Sequence, residues 1–238
     1  MNDYYSKCLD FQEKLKEYAF NIFKTYGREL VLGFEEYYLL QNIHNCIESS
    51  TAIGFVLEEF LVSKLEMYTH CAEEEYKIDR FVGATASESY DCFSYKDNIK
   101  FLVNIKAESG GSANNAVAAI QQLHRNYCLE ESNIEKSYII FKIKYEIRDA
   151  YEDDDFRRAK PRHIYIKSIE SFSLEEVDLS NGHKQDNRSW SRAAAEKSKN
   201  NGRLIISPAF REKHKVNTSD ISYQNTCDQL NKLVTNNI

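Results

Sequence analysis

The chain has 238 residues, with 31 Lys and Arg against 37 Asp and Glu, a formal net charge of −6 and 42% apolar side chains. That length buries a sizeable core without a disulfide or metal staple. No stretch approaches the roughly 18 uninterrupted apolar residues of a spanning helix, so a soluble protein without a membrane segment is expected.

Residues 3 to 25 predict an amphipathic helix, because Tyr5, Cys8, Leu9, Phe11, Leu15, Tyr18, Ala19, Ile22 and Phe23 recur at helical spacing. A second helix is expected over 35 to 48. Ser50 or Thr51 caps a third, AIGFVLEEFLVSKLEMY, whose apolar face is Ile53, Val56, Leu57, Phe60, Leu61 and Leu65. Strand signals follow at 77 to 83, 90 to 95 and 99 to 107. The last two flank Lys96-Asp97-Asn98, a tight-turn signal that makes them an antiparallel hairpin. After Gly110-Gly111, the stretch SANNAVAAIQQLHRNYCLEE predicts a helix capped by Ser112. Strands are expected at 137 to 147 and 162 to 172, a short helix at 190 to 199, a strand in GRLIIS and a final helix near 219 to 235. This order implies a mixed sheet flanked by helices, in the α/β or α+β class.

The hairpin carries the chemistry. Side chains alternate along a strand, so Leu102, Asn104, Lys106 and Glu108 share one face while Phe101, Val103, Ile105 and Ala107 form a buried one. Asp91 on the partner strand faces the end that bears Asn104 and Lys106. A carboxylate and an ammonium at one sheet edge suit phosphodiester cleavage: the acid holds a hard divalent cation such as Mg²⁺, and the amine orients the attacking water. The Ile105 backbone carbonyl offers a further oxygen. On the preceding helix Gly54 stands four residues before Glu58, on the same side, which points Glu58 at the sheet and leaves Glu59 to solvent.

Glu58, Asp91, Asn104-Ile105-Lys106 and the segment after Gly110-Gly111 together resemble the PD-(D/E)xK nuclease superfamily, of which type II restriction endonucleases are the familiar members. The likeness spans roughly residues 50 to 130. Two positions depart from the pattern: Ser89-Tyr90-Asp91 lacks the motif proline, and Asn104 stands where an acid is usual. The resemblance implies a Mg²⁺-dependent, sequence-specific endonuclease of double-stranded DNA, acting as a homodimer. It implies metal binding by Asp91, Glu58, Asn104 and the Ile105 carbonyl, and water activation by Lys106; Glu108 is a second acid able to restore the missing charge. An inactive DNA-binding protein with a degenerate nuclease fold and a repair-type nuclease are the alternative readings.

The C-terminal third is basic despite the net charge. DAYEDDD at 149 to 155 holds five acids; FRRAKPRHIYIK at 156 to 167 then holds five bases and no acid; residues 184 to 215 carry nine Lys or Arg against three acids. Arg157, Arg158, Lys160, Arg162, Asn187, Arg188, Arg192 and Arg203 are the candidate DNA contacts. One nuclease domain over 1–238 is expected, with a helical part at 1–50 that offers a dimer interface, a catalytic core at 51–147 and a recognition part at 148–238. Six cysteines without a CxxC pair, and a charged N-terminus unlike a secretion signal, imply free thiols in a cytoplasmic protein. His183 lacks the companions of a His-Asn metal site, and Gly110-Gly111 lacks the GK[ST] of a P-loop, so no nucleotide cofactor is expected.

Overall fold

The computed structural model describes residues 2–26, 29–32, 50–81, 88–109, 115–149, 162–180, 184–186 and 202–235. The helices expected at 35 to 48 and 190 to 199 lie outside them. The architecture is a mixed α+β fold, as the element order implied. Its six-stranded sheet runs β1 (Glu29–Leu32), β7 (Arg162–Ser173), β6 (Glu135–Asp149), β4 (Ile99–Ser109), β3 (Cys92–Lys96), β2 (Asp79–Arg80). Every neighbouring pair is antiparallel except β4 and β6, which run parallel from Ile99↔Glu135 to Ser109↔Tyr145.

Helices α1 (Asp3–Tyr26) and α2 (Ser50–Cys71) cover one face. In α1, Cys8, Phe11, Leu15, Tyr18, Ala19 and Ile22 are enclosed at steps of three and four residues, and Phe11 stacks on Phe101 of β4 with ring centroids 4.3 Å apart. Fully burying a side chain such as Phe11, Leu15 or Ile22 contributes about 1.5–3 kcal/mol, so this face of α1 is integral core. In α2, Ile53, Leu57, Leu61 and Leu65 are buried as expected; Val56 turns out to be 52% exposed, and Val62 takes its place in the core.

The opposite face is covered too. A three-stranded sheet, β5 (Ala116–Ala119), β9 (Arg203–Ile205) and β8 (Lys184–Asp186), packs there. With it pack α3 (Ile120–His124, continued by a π-turn to Leu129) and α5 (Tyr223–Thr235). Leu102, Tyr138, Ile140 and Phe172 from the large sheet meet Val117, Leu123, Tyr127, Leu204 and Leu230. Two expectations are corrected here. The helix after Gly110-Gly111 begins only at Ile120; Ala116–Ala119 pairs with β9 instead. The face of β4 that carries Leu102 and Asn104 is sealed rather than open. An additional short helix, α4 (Pro208–Lys213), starts from Ser207, whose side chain accepts the Phe210 N–H at 3.1 Å.

The hairpin turns through Asp97 and Asn98, both left-handed at φ 49° and 62°, between the paired Lys96 and Ile99. That is a two-residue turn whose twist matches the strands. No helix among the described residues is long and apolar enough to cross a membrane.

Candidate active site

The pairing of β3 with β4 ends at Cys92↔Val103, with one more bond from Asp91 N–H to the Val103 carbonyl at 2.8 Å. Beyond it the chain through Ser89 and Tyr90 leaves the sheet. β4 runs on to Ser109, held on its other side by β6. The β3-side edge of β4 therefore continues past its partner, and its N–H groups need acceptors. Two carboxylates supply them: Asp91 Oδ2 accepts from Ile105 N–H at 2.6 Å, and Glu58 Oε1 accepts from Ala107 N–H at 2.8 Å. Consecutive same-edge amides lie roughly 6.6 Å apart, so the two acids stand side by side where a strand would have been. In a strand a residue's N–H and C=O leave by the same edge; the Ile105 carbonyl accordingly opens between them.

Glu58 reaches this edge because Gly54, one turn earlier, packs on Ala107. A Cβ at Gly54 would meet Ala107 Cβ at 3.6 Å and the Tyr145 hydroxyl at 3.9 Å, which are ordinary contacts. The glycine is not sterically required. Gly54→Ala is expected to raise the free energy of unfolding in urea by about 0.5–1 kcal/mol through helix propensity, with Glu58 undisturbed.

Burial pushes the Asp91 carboxyl above the usual carboxylate range; the Lys106 ammonium and the Ile105 N–H pull it back, and Glu59 raises it. Burial likewise raises Glu58, with Lys106 and the Ala107 N–H lowering it and Asp91 raising it. Lys106 is thus the leading pairwise influence on both acids. It forms an ion pair with neither, nor with any other described residue. Asp91 Oδ1 and Glu58 Oε2 accept no hydrogen bond from the described residues.

The other expected residues fall elsewhere. Glu59 is not left to solvent but ion-paired with Arg80. Glu108 is held 2.7 Å from Lys142, both side chains 7% exposed, on the face away from Glu58, and so restores no charge to this edge. Asn104 does not join the acids either. Its side chain is enclosed on that same far face, where Nδ2 lies 3.1 Å from the Ser89 carbonyl and 2.7 Å from both the Val117 carbonyl and the Tyr138 hydroxyl. No group of three His, Cys, Asp or Glu among the described residues is placed to hold a metal. The local donor set is two carboxylates and one backbone carbonyl. All-oxygen donors of that kind fit Mg²⁺ rather than a softer metal.

Of the basic candidates, Arg203 is exposed on β9 and Arg162 opens β7. Arg157, Arg158, Lys160, Asn187, Arg188 and Arg192 lie outside the described residues. Tyr138, Asn126 and Arg80 shape the site and carried no local sequence signal, since each joins it from an element distant in the chain.

No family model matches the chain, and no curated protein matches it in sequence. Among solved structures it is similar to the NlaIV restriction endonuclease, at a TM-score of 0.45 and 11% identity, over 94% of this chain and 89% of that one.

Proposed function

We propose that the protein is a Mg²⁺-dependent endonuclease that hydrolyses phosphodiester bonds of double-stranded DNA at a specific sequence, as type II restriction enzymes do. One observation supports this reading: two half-buried carboxylates from separate elements occupy the vacated edge of β4, each with one oxygen that no described residue bonds, and Lys106 is the leading pairwise charge acting on both. Asp91 Oδ1, Glu58 Oε2 and the Ile105 carbonyl would hold the cation. Bound Mg²⁺ supplies neutralisation of the charge that builds on the phosphate. Ile105 N–H and Ala107 N–H fix the acids before substrate arrives, so little reorganisation is left for the reaction. The Lys106 ammonium donates to the attacking water and orients it for in-line displacement. Exposed Arg203 and the basic segments at 157 to 162 and 187 to 192 would contact phosphates and base edges. Cutting both strands at one locus needs two such sites, which a homodimer provides.

Incubation of plasmid DNA with and without Mg²⁺ tests the reading. Discrete fragments that need Mg²⁺ and vanish in Lys106→Ala support it, and a smear indicates a nuclease without sequence preference. Salt-sensitive binding without any cutting supports an inactive DNA-binding protein instead, the reading favoured by an Asn at 104 and by a count of two carboxylates at the edge among the described residues.

The acids also set a pH dependence. Their folded-state pKa values are raised, so without cation the stability tied to their protonated forms is full below the ordinary carboxylate range and is lost as pH rises through the raised values. Mg²⁺ binds only the ionised pair. The thermal midpoint should therefore fall with rising pH across that window in chelator, the fall should be offset by Mg²⁺, and cleavage should fade on acidification at a pH above the ordinary carboxylate range.

A further inference from the structure

Three separate parts of the chain meet at the Asn104 amide. Its NH₂ lies against the Ser89 and Val117 carbonyls and the Tyr138 hydroxyl, and that hydroxyl donates in turn to the Ser89 carbonyl. From the other side the Ser89 N–H donates to Asn126 Oδ1 on the π-turn at 2.9 Å. Burial holds the Tyr138 phenol far above its usual pKa, so it stays a neutral hydroxyl donor. Asn104 Oδ1 is buried with no partner among the described residues. Exchanging the amide's ends would set an oxygen against two carbonyl oxygens, so this orientation is the favoured one. Asn104 is thus used through its donors.

We propose that Asn104 is a positioning residue: with Tyr138 it clamps the Ser89 carbonyl, two residues before Asp91, and so delivers the Asp91 carboxylate to the Ile105 N–H instead of supplying an oxygen to the cation. The consequence for catalysis rests on the endonuclease reading; the clamp rests on the hydrogen bonds alone. It follows that the acid usual at this motif position is harmful in this chain. A carboxylate at 104 has no N–H to give and sets its charge against two carbonyl oxygens inside the core.

The experiment compares the full-length protein with Asn104→Asp and Tyr138→Phe, the second of which keeps the ring and removes only the hydroxyl. Amide hydrogen exchange is followed at Ile105, whose N–H reports the place of Asp91, and at Phe141 as a core reference; Mn²⁺ binding is followed by calorimetry. Both variants should lose Ile105 protection selectively, by roughly tenfold for one hydrogen bond, and bind Mn²⁺ roughly 10- to 100-fold more weakly. Unchanged Ile105 protection overturns the proposal, and so does tighter Mn²⁺ binding by Asn104→Asp. A wild-type protein that neither binds Mn²⁺ nor cuts DNA, yet loses Ile105 protection in both variants, removes the endonuclease reading and leaves the clamp standing.

Discussion

Asp91→Asn is expected to lower Mg²⁺-dependent cleavage by about 10³-fold, the scale of losing a preorganised electrostatic group, while the folded protein becomes more stable. Both effects have one cause. An Asn oxygen still accepts the Ile105 N–H, so the edge of β4 stays capped. The amide, however, offers no negative charge to a cation and sets an NH₂ in the place of Asp91 Oδ1. Burial disfavours the Asp91 charge more than Lys106 and the Ile105 N–H favour it, since its pKa is raised overall. Removing that charge should therefore add on the order of 1 kcal/mol to the unfolding free energy, as expected where a site trades stability for activity. Activity on a plasmid and a urea titration check the two halves. A variant that cuts normally, or that is both inactive and markedly less stable, contradicts the account.

The largest stability effect is expected at Glu175. This acid, 2% exposed on the turn after β7, accepts from Tyr127 Oη at 2.6 Å, from Tyr138 N–H at 2.9 Å and, through its other oxygen, from Ser137 Oγ at 3.1 Å. Glu175→Ala strands three buried donors and opens a cavity; a loss of about 4 kcal/mol is expected, at roughly 1–3 kcal/mol for each buried donor left unsatisfied. Glu175→Gln keeps one acceptor oxygen and the volume, and should lose well under half as much. Chemical denaturation of the two variants decides: a loss below about 1 kcal/mol for the alanine variant, the weight of a single ordinary hydrogen bond, would show that the network is not under tension with water. Because Glu175 also fixes the start of β6, where Tyr138 projects, the alanine variant should lose cation affinity as well.

Much of this organisation is legible along the chain where the pattern is local. The helical spacing of α1 and α2, the two-residue turn, the β-rich runs of β6 and β7 and the final helix all follow from neighbours a few residues apart. So does the meeting of Glu58 and Asp91 at the edge of β4, which needs only the hairpin register and one helical turn. The misreadings are non-local. Ala116–Ala119 looks helical by propensity yet pairs with Arg203–Ile205 far along the chain. Alternation alone leaves the Asn104 face of β4 open to solvent, whereas a second layer covers it. The run Ile99 to Val103, apolar but for Lys100, was the available sign that β4 is buried on both faces beside a parallel partner. Ser207-Pro208, a capped helix start, was the sign of α4.

The central claim is that the vacated edge of β4 is a divalent-cation site. Anomalous diffraction from crystals equilibrated with Mn²⁺ tests it directly: the account predicts a strong peak contacted by Asp91, Glu58 and the Ile105 carbonyl. Saturating Mn²⁺ with no peak there, or a peak only beside Glu108 and Lys142 on the opposite face, would contradict it.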